Sequence, residues 1–146
     1  MRFFRVRVVR TLPHPARGFT QGLLAEGQTV WESGGQYGMS VLRRYELGAA
    51  EAAAEAALPP ELYAEGICRV GGSIWQLTWR ERVALRWDAA TLKVAGQVRF
   101  NREGWGMCAV PAETPLAAET PLAAETPLAA ETPATAGPAD VPVREV

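Results

Sequence analysis

Two observations predict an all-β fold for the first 108 residues of this 146-residue chain. Short apolar segments alternate with glycine pairs and charged turns, which is typical of short β-strands. These segments also recur, because residues 21–34 align with residues 65–78 at an offset of 44 residues. A period of about 40 to 45 residues, with several short strands in each unit, is typical of β-propeller blades. We therefore predict successive antiparallel sheets of three to four strands, arranged side by side.

The repeat depends on matched glycines and tryptophans. Gly22 aligns with Gly66, and Trp31 aligns with Trp75. A third unit begins at WGMC, residues 105–108. At the period of a propeller blade, these units amount to about two and a half blades.

The N-terminal segment MRFFRVRVVR alternates arginines with apolar residues. Alternation with a period of two predicts a half-buried strand. A signal peptide needs an unbroken apolar stretch after its basic start, and this segment has none. The chain also has no apolar run long enough for a membrane span. We therefore expect a cytoplasmic protein without membrane contacts, unless a wrongly assigned start codon hides an export signal.

Two predictions compete for residues 46–58, ELGAAEAAAEAAL. Alanine and glutamate are strong helix formers, so intrinsic propensity favours a helix. The position of the segment in the repeat favours a turn and an outer strand instead. Because tertiary context can override propensity, we predict the strand.

The C-terminal part of the chain differs in charge and composition. Residues 1–108 carry 14 basic and 10 acidic side chains, whereas residues 109–146 carry one basic and six acidic ones. From Ala112 the hexapeptide AETPLA occurs three times and is followed by AETPAT. Its regular prolines exclude a continuous helix, and its single leucine per repeat offers little apolar surface. We predict a propeller-like domain over residues 1–108 and a disordered or polyproline-II tail after it.

Composition excludes several classes of function. The formal net charge is −1 and no lysine or arginine cluster indicates a nucleic-acid partner. Cys68 and Cys108 give neither a disulfide framework nor metal-ligand spacing, so we expect two small buried side chains. His14 is the single histidine. No metal and no cofactor is therefore expected.

Four motifs resemble one known family. They are PHPARGFTQGLL at 13–24, WESGGQYGMSVLRRYEL at 31–47, YAEGICRVGGSIWQLTW at 63–79 and EGWGM at 103–107. In this order and spacing they resemble the first part of the plant and bacterial glutaminyl-peptide cyclotransferases. The resemblance implies a five-bladed β-propeller, so this chain would hold a partial propeller of about two and a half blades.

The same resemblance implies an activity and a site. The family converts N-terminal glutamine of peptides to pyroglutamate with release of ammonia, and uses neither metal nor cofactor. Glu65 matches the family's catalytic glutamate, whereas we interpret Glu32 as structural and His14 as a loop-packing residue. The residues that match the substrate-binding positions are Phe19, Gln21, Tyr63, Trp79 and Trp105.

The sequence also departs from the family pattern. After Gly-Trp-Gly the family continues with Leu-Thr-x-Asp-Gly, whereas this chain continues with CAVPAETPLA. An asparagine, a lysine and a further tryptophan that later blades give to the family's pocket have no matching motif. Three expectations follow: an active enzyme, an inactive truncated remnant, or a binding module that a partner chain completes. An uncovered blade would favour self-association.

Overall fold

The computed structural model describes residues 3–15 and 18–110. This part of the chain contains eight strands and no helix, and the strands form two antiparallel sheets. The first sheet has the order β1-β2-β3-β4 and the second has the order β5-β6-β7-β8. The strands are β1 (Thr20–Glu26), β2 (Thr29–Gly34), β3 (Val41–Glu46), β4 (Ala54–Ala57), β5 (Ala64–Val70), β6 (Ser73–Thr78), β7 (Val83–Asp88) and β8 (Val94–Arg99). The all-β prediction with successive four-stranded units is confirmed.

Both sheets begin with a tight hairpin that a glycine closes. Gly27 joins β1 to β2 with φ of 60°, and Gly71 joins β5 to β6 with φ of 57°. Positive φ is unfavourable for residues with a Cβ atom, so glycine suits both turns. The equivalent turns explain why glycines recur at these points of the repeat.

The segment with helical propensity forms a turn and a strand. β4 pairs with β3, and its register places Glu55 opposite Arg43. The Arg43 Nε atom donates a hydrogen bond to Glu55 Oε2 at 2.6 Å. Backbone pairing and this ion pair hold Ala54–Ala57 extended, so tertiary context overrides the propensity of alanine and glutamate for helix.

Two expectations were wrong. Residues 3–10 do not form a strand, and Phe3 and Val6 are 87% and 96% exposed. A strand needs backbone partners, and no described strand pairs with this segment. Cys68 is buried as expected, but Cys108 is exposed.

The core lies between the two sheets. Trp31 and Leu42 of the first sheet share it with Ile74, Leu85 and Trp87 of the second. Two polar contacts cross the same interface. Trp31 Nε1 donates to the carbonyl of Ala89 at 3.2 Å, and Gln76 Nε2 donates to Ser33 Oγ at 2.8 Å. The sheets therefore stack face to face, as successive blades do.

Two glycines at equivalent points of the repeat, Gly22 and Gly66, allow close backbone approach. A Cβ atom on Gly22 would lie 2.8 Å from the backbone nitrogen of Ile67, and one on Gly66 would lie 2.7 Å from the Cα atom of Gly106. The Gly66 nitrogen donates to the Trp105 carbonyl at 3.0 Å. Residues 105–108 are not a strand here, but they contact β5 much as β5 contacts β1.

In the part of the chain that the structure describes, no helix could span a membrane. The predicted tail over residues 112–146 lies outside the described residues.

Candidate active site

Both sheets carry a register irregularity at the same place in their first strand. In β1 the pairing with β2 shifts between Thr20 and Gly22, and in β5 the pairing with β6 shifts between Ala64 and Ile67. Gln21 lies in the first irregularity and Glu65 in the second. A β-bulge re-aims a side chain and bends its strand, and bulges are frequent beside active sites. The fold therefore presents Gln21 and Glu65 from equivalent positions.

Glu65 is a buried carboxyl group without a partner. It is 3% exposed. Among residues 3–15 and 18–110, no hydrogen-bond donor or cation pairs with its carboxylate. Burial raises the pKa of Glu65, and the nearby Glu81 carboxylate raises that pKa further. Because the charged form is disfavoured, this carboxyl group accepts and returns a proton more readily near neutral pH than an exposed glutamate.

Four aromatic rings form a continuous line beside Glu65, which we call the aromatic row. The ring centroids of Tyr37 and Tyr63 are 5.2 Å apart, and those of Tyr63 and Trp79 are 5.7 Å apart. Trp79 and Trp105 follow at 5.5 Å. Such edge-to-face and tilted contacts are favourable for aromatic pairs. Gln21 joins the row, because its Nε2 atom donates to the Tyr63 hydroxyl at 3.1 Å.

Backbone hydrogen bonds fix the middle and the end of the row. The Trp79 nitrogen donates to the Tyr63 carbonyl at 3.0 Å, which ties the segment after β6 to the segment before β5. Gly66, which directly follows Glu65 in the chain, donates from its nitrogen to the Trp105 carbonyl. These contacts join Gln21, Tyr63, Trp79 and Trp105, and they tie Trp105 to the backbone of β5 at the residue after Glu65.

Phe19 stands apart from the other predicted residues. Its side chain is 63% exposed, and within the described residues its ring contacts no other ring. Its backbone carbonyl accepts a hydrogen bond from the Gly35 nitrogen at 2.8 Å. The residue borders the loop after β2, but it does not extend the aromatic row.

Sequence reasoning missed the polar groups that hold the row. Trp79 Nε1 donates to Glu103 Oε2 at 3.2 Å, and the Arg80 guanidinium lies 4.0 Å from the Trp79 ring centroid. At the other end, the Tyr37 hydroxyl donates to Glu81 Oε1 at 2.8 Å. Tyr37 and Glu103 lie in two of the motifs that resemble the family, so the sequence did contain a signal for these two residues. Arg80 and Glu81 lie in the turn after Trp79 and carry no signal of their own.

A second polar cluster surrounds Glu32, which is 2% exposed. Its carboxylate accepts a hydrogen bond from Thr20 Oγ1 at 2.6 Å and contacts His14 Nε2 at 2.9 Å. Burial, followed by the Glu32 carboxylate, raises the pKa of Tyr45 to about 12. The His14 ring packs edge-on against Tyr45 at 5.7 Å. Each Glu32 oxygen is engaged, whereas the Glu65 carboxylate has no partner within residues 3–15 and 18–110.

The aromatic row is partly exposed, because Trp105 and Tyr37 are 60% and 49% exposed. Two cavities with volumes of about 470 and 540 Å³ lie elsewhere. One is lined by Trp31 and Arg69 near the opposite end of the strands, and the other by His14 and Arg43. The described residues contain no group of three or more His, Cys, Asp or Glu side chains that could hold a metal ion. The chemistry of the site is that of a carboxyl group among aromatic rings.

Comparison with known proteins defines the class. A family model described as glutamine cyclotransferase matches residues 1–116. The chain is 31% identical over 108 residues to a glutaminyl-peptide cyclotransferase of Arabidopsis thaliana. It is also similar to the crystal structure of Myxococcus xanthus glutaminyl cyclase, with a TM-score of 0.64 at 30% identity. The chain belongs to the glutamine cyclotransferase family.

The matches cover most of this chain but only part of the relatives. The plant alignment includes 73% of this chain and 34% of the relative. The alignment with the Myxococcus xanthus enzyme includes 72% of this chain and 44% of that one. The described residues therefore correspond to less than half of either relative.

Proposed function

We propose that the chain carries the proton-transfer group and the aromatic wall of a glutaminyl-peptide cyclotransferase site. The observation that carries this proposal is Glu65: a buried carboxyl group, without a partner in the described residues, at a bulge beside four aromatic rings. Family membership supports the same conclusion. The substrate is a peptide with N-terminal glutamine, and no metal or cofactor takes part.

The reaction closes a ring within one residue. The α-amine attacks the carbon of the γ-carboxamide, a C–N bond forms, and a tetrahedral intermediate results. The C–N bond to the amide nitrogen then breaks, and ammonia leaves once that nitrogen has gained a proton. Because both reacting groups belong to the same residue, the reaction needs orientation and proton transfer more than approach.

Glu65 suits the proton transfer at both stages. As a carboxylate it takes the proton that the attacking amine loses, and as a carboxylic acid it gives a proton to the leaving nitrogen. Its raised pKa brings the two forms closer in free energy near neutral pH. One residue therefore returns to its starting state after each turnover.

The rings and Gln21 would hold the substrate. Aromatic faces contact the methylene groups of the glutamine side chain and shield the intermediate from water. The Gln21 amide nitrogen already donates to Tyr63, which fixes the orientation of the amide, and its carbonyl oxygen would accept from a donor of the substrate. Phe19 would close the rim of the site near Gly35.

Ammonia release from a glutamine-initiated peptide tests the proposal. We expect Glu65→Gln to lower kcat by about 10² to 10⁴, the usual contribution of a positioned acid or base. Glu61→Gln is the matched control, because Glu61 is an exposed carboxylate four residues away in the chain and should leave the rate unchanged. Equal activity in all three proteins would contradict the role of Glu65.

A binding half-site is the second candidate function. The row is open to solvent, since Trp105 is 60% and Tyr37 49% exposed, and a further chain would cover it. Self-association through an uncovered blade would supply that chain. This candidate predicts peptide binding without turnover, and a mass in equilibrium sedimentation that rises with protein concentration.

A further inference from the structure

The rigid loop between β2 and β3 carries an aromatic side chain at the edge of the site. From the geometry of this loop we propose that Tyr37 forms a subsite for the residue that follows the N-terminal glutamine, with Glu81 as the group that positions it. The inference rests on the proposed function. It adds a preference for the second residue of the peptide.

Tyr37 is the outer end of the aromatic row. Its ring contacts Tyr63 at an interplanar angle of 70°, and Tyr63 contacts both Trp79 and Gln21. The centroids of Tyr37 and Tyr63 are separated by 5.2 Å. Because successive Cα atoms of an extended peptide lie about 3.8 Å apart, a peptide whose first residue contacts Tyr63 places its second residue near Tyr37.

The loop that carries Tyr37 is fixed by its own hydrogen bonds. The Gly38 nitrogen donates to the Pro60 carbonyl at 2.9 Å, and the Met39 nitrogen donates to the Gln36 carbonyl at 2.9 Å. The buried Ser40 hydroxyl accepts from the Gln36 nitrogen at 3.1 Å and from the Ala64 nitrogen at 3.0 Å. These contacts anchor the loop both to itself and to the start of β5.

The base of the loop has no room for a side chain. A Cβ atom on Gly35 would lie 2.2 Å from the Ala64 carbonyl oxygen and 2.8 Å from Tyr63 Cε1. The loop therefore packs directly on the residues that lead to Glu65. A displacement of the loop would therefore disturb Tyr63 as well.

Glu81 connects the loop to the site from the opposite sheet. One oxygen accepts from the Tyr37 hydroxyl at 2.8 Å, and the other accepts from the Tyr63 backbone nitrogen at 3.3 Å. The two rings are thereby held in one orientation. A fixed and half-exposed tyrosine offers contact area at a small cost in side-chain entropy, which is why such residues are frequent in binding surfaces.

The charges at the row predict which second residues are accepted. Glu65, Glu81 and Glu103 contribute carboxylates, and the Arg80 guanidinium stacks on Trp79 and lies 3.9 Å from Glu103. An acidic second residue would be placed beside Glu81 and repelled. An aromatic second residue gains an edge-to-face contact with Tyr37, so we expect phenylalanine to be preferred over alanine, and alanine over glutamate.

Binding of the unreactive lactam products tests the subsite without turnover. The probes are pyroglutamyl-phenylalanine amide, pyroglutamyl-alanine amide and pyroglutamyl-glutamate amide, titrated against the full chain while the indole N–H signals of Trp79 and Trp105 are followed by NMR. We expect the phenylalanine peptide to bind about three- to tenfold more tightly than the alanine peptide, as one added aromatic pair would give.

Two variants of Tyr37 test whether its ring contacts the second residue of the peptide. Tyr37→Ala should reduce the preference for phenylalanine to less than about twofold, whereas Tyr37→Phe keeps the ring and should keep the preference. Leu47→Ala is the control, since Leu47 is 43% exposed and follows β3 at the far end of the sheet. Equal loss of preference in Tyr37→Ala and Tyr37→Phe would overturn the contact between Tyr37 and the peptide.

Two further measurements do not depend on Tyr37→Ala folding correctly. Intermolecular NOEs between the peptide phenylalanine and Tyr37 should be present in the unmodified chain, and their absence in a saturated complex would overturn the subsite. Glu81→Gln should improve binding of the glutamate peptide relative to the alanine peptide. If none of the three peptides binds, the proposed function fails together with this inference. If all three bind equally, only the subsite fails.

Discussion

The first and second sheets have the same strand order, the same glycine-closed hairpin and the same bulge in the first strand. The side chains that the two bulges present differ in chemistry and in surroundings. Gln21 is half-buried and donates to the Tyr63 hydroxyl. Glu65 is buried and, within the described residues, makes no hydrogen bond. Equivalent backbone positions thus carry a hydrogen-bonded amide in one sheet and a buried carboxyl group in the other.

The second strands of the sheets differ in the same way. Glu32 in β2 pairs across the sheet with Arg43, whereas Gln76 at the equivalent place in β6 pairs with Leu85. The charged pair of the first sheet is therefore a neutral pair in the second. Gln76 is fully buried and its Oε1 atom has no partner among the described residues. Equivalent positions of the repeat therefore have the same strand pairing, but the side chains at these positions differ in charge.

Exchange of the two bulge residues tests whether the proposed proton transfer requires the surroundings of Glu65 or only a glutamate at either bulge. The double variant Gln21→Glu/Glu65→Gln keeps both functional groups but reverses their places. We expect kcat to stay about 10² to 10⁴ below that of the unmodified chain, because position 21 is less buried than position 65 and burial is the main cause of the raised pKa of Glu65. Ammonia release from a glutamine-initiated peptide measures the effect.

The single variant Gln21→Glu is the control for this exchange. It keeps Glu65 and should retain proton transfer while weakening substrate binding, so KM changes more than kcat. Recovery of the original rate in the double variant would show that the two bulges are chemically interchangeable, and the distinction drawn between the sheets would then be wrong.

The contact between successive units is expected to make a large contribution to stability, and it depends on Gly66. Gly66→Ala places a Cβ atom 2.7 Å from the Gly106 Cα atom and 2.8 Å from the Trp105 carbonyl oxygen. Both neighbours are backbone atoms, so the free energy of unfolding should fall by about 3 kcal/mol. Gly72→Ala is the matched control, because no atom lies within 4 Å of its added Cβ atom. Urea denaturation of both variants provides the comparison.

The sequence predicted the sheets well because turn glycines and alternating apolar residues are local signals. Residues 54–57 could be assigned to a strand only from their place in the repeat, against their propensity for helix. The alternating pattern at the N-terminus predicted a strand that does not form, since strand formation depends on a partner that lies elsewhere in the chain. The offset of 44 residues also placed Gln21 and Glu65 at equivalent positions of successive units.

The polar support of the site could not be predicted. Glu81 and Arg80 lie in a turn whose composition is ordinary, and their roles depend on rings contributed by distant segments. Phe19 matched a motif, yet its ring lies outside the row. Contacts between side chains from different units follow from the packing angle of the sheets, which no local pattern encodes.

Replacement of Glu32 by the residue type at the equivalent position of the second sheet is expected to affect stability less than Gly66→Ala does. Glu32→Gln keeps the shape of the side chain but gives it the chemistry of Gln76. The amide accepts fewer hydrogen bonds than the carboxylate that now engages Thr20 and His14, so we expect a loss of about 2 kcal/mol in the free energy of unfolding. His14→Gln changes a single partner and should cost less. Equal stability of Glu32→Gln and the unmodified chain would show that the charge is dispensable.

The smallest expected effect is the loss of stability that the buried, charged Glu65 causes in the folded protein. Its pKa is raised in the folded state, so the native protein binds more protons than the unfolded chain once pH exceeds the unfolded value of about 4.3. Stability is therefore lost as pH rises through this range, and the full cost is present above the folded pKa. Glu65→Gln removes the titration and should raise the free energy of unfolding at pH 7.

The pH dependence distinguishes this effect from a simple change in packing. The gain from Glu65→Gln should fade below about pH 4, where the glutamate is protonated in both states. Asp88 provides a control of opposite sign, because a hydrogen bond from Thr91 lowers its pKa. Asp88→Asn should therefore lower stability at pH 7 and lose that effect as pH falls. Thermal unfolding of both variants from pH 3 to pH 8 measures the two curves. A gain from Glu65→Gln that is constant with pH would mean that its carboxyl group is not held at a raised pKa, and the chemical difference between the two bulges would disappear.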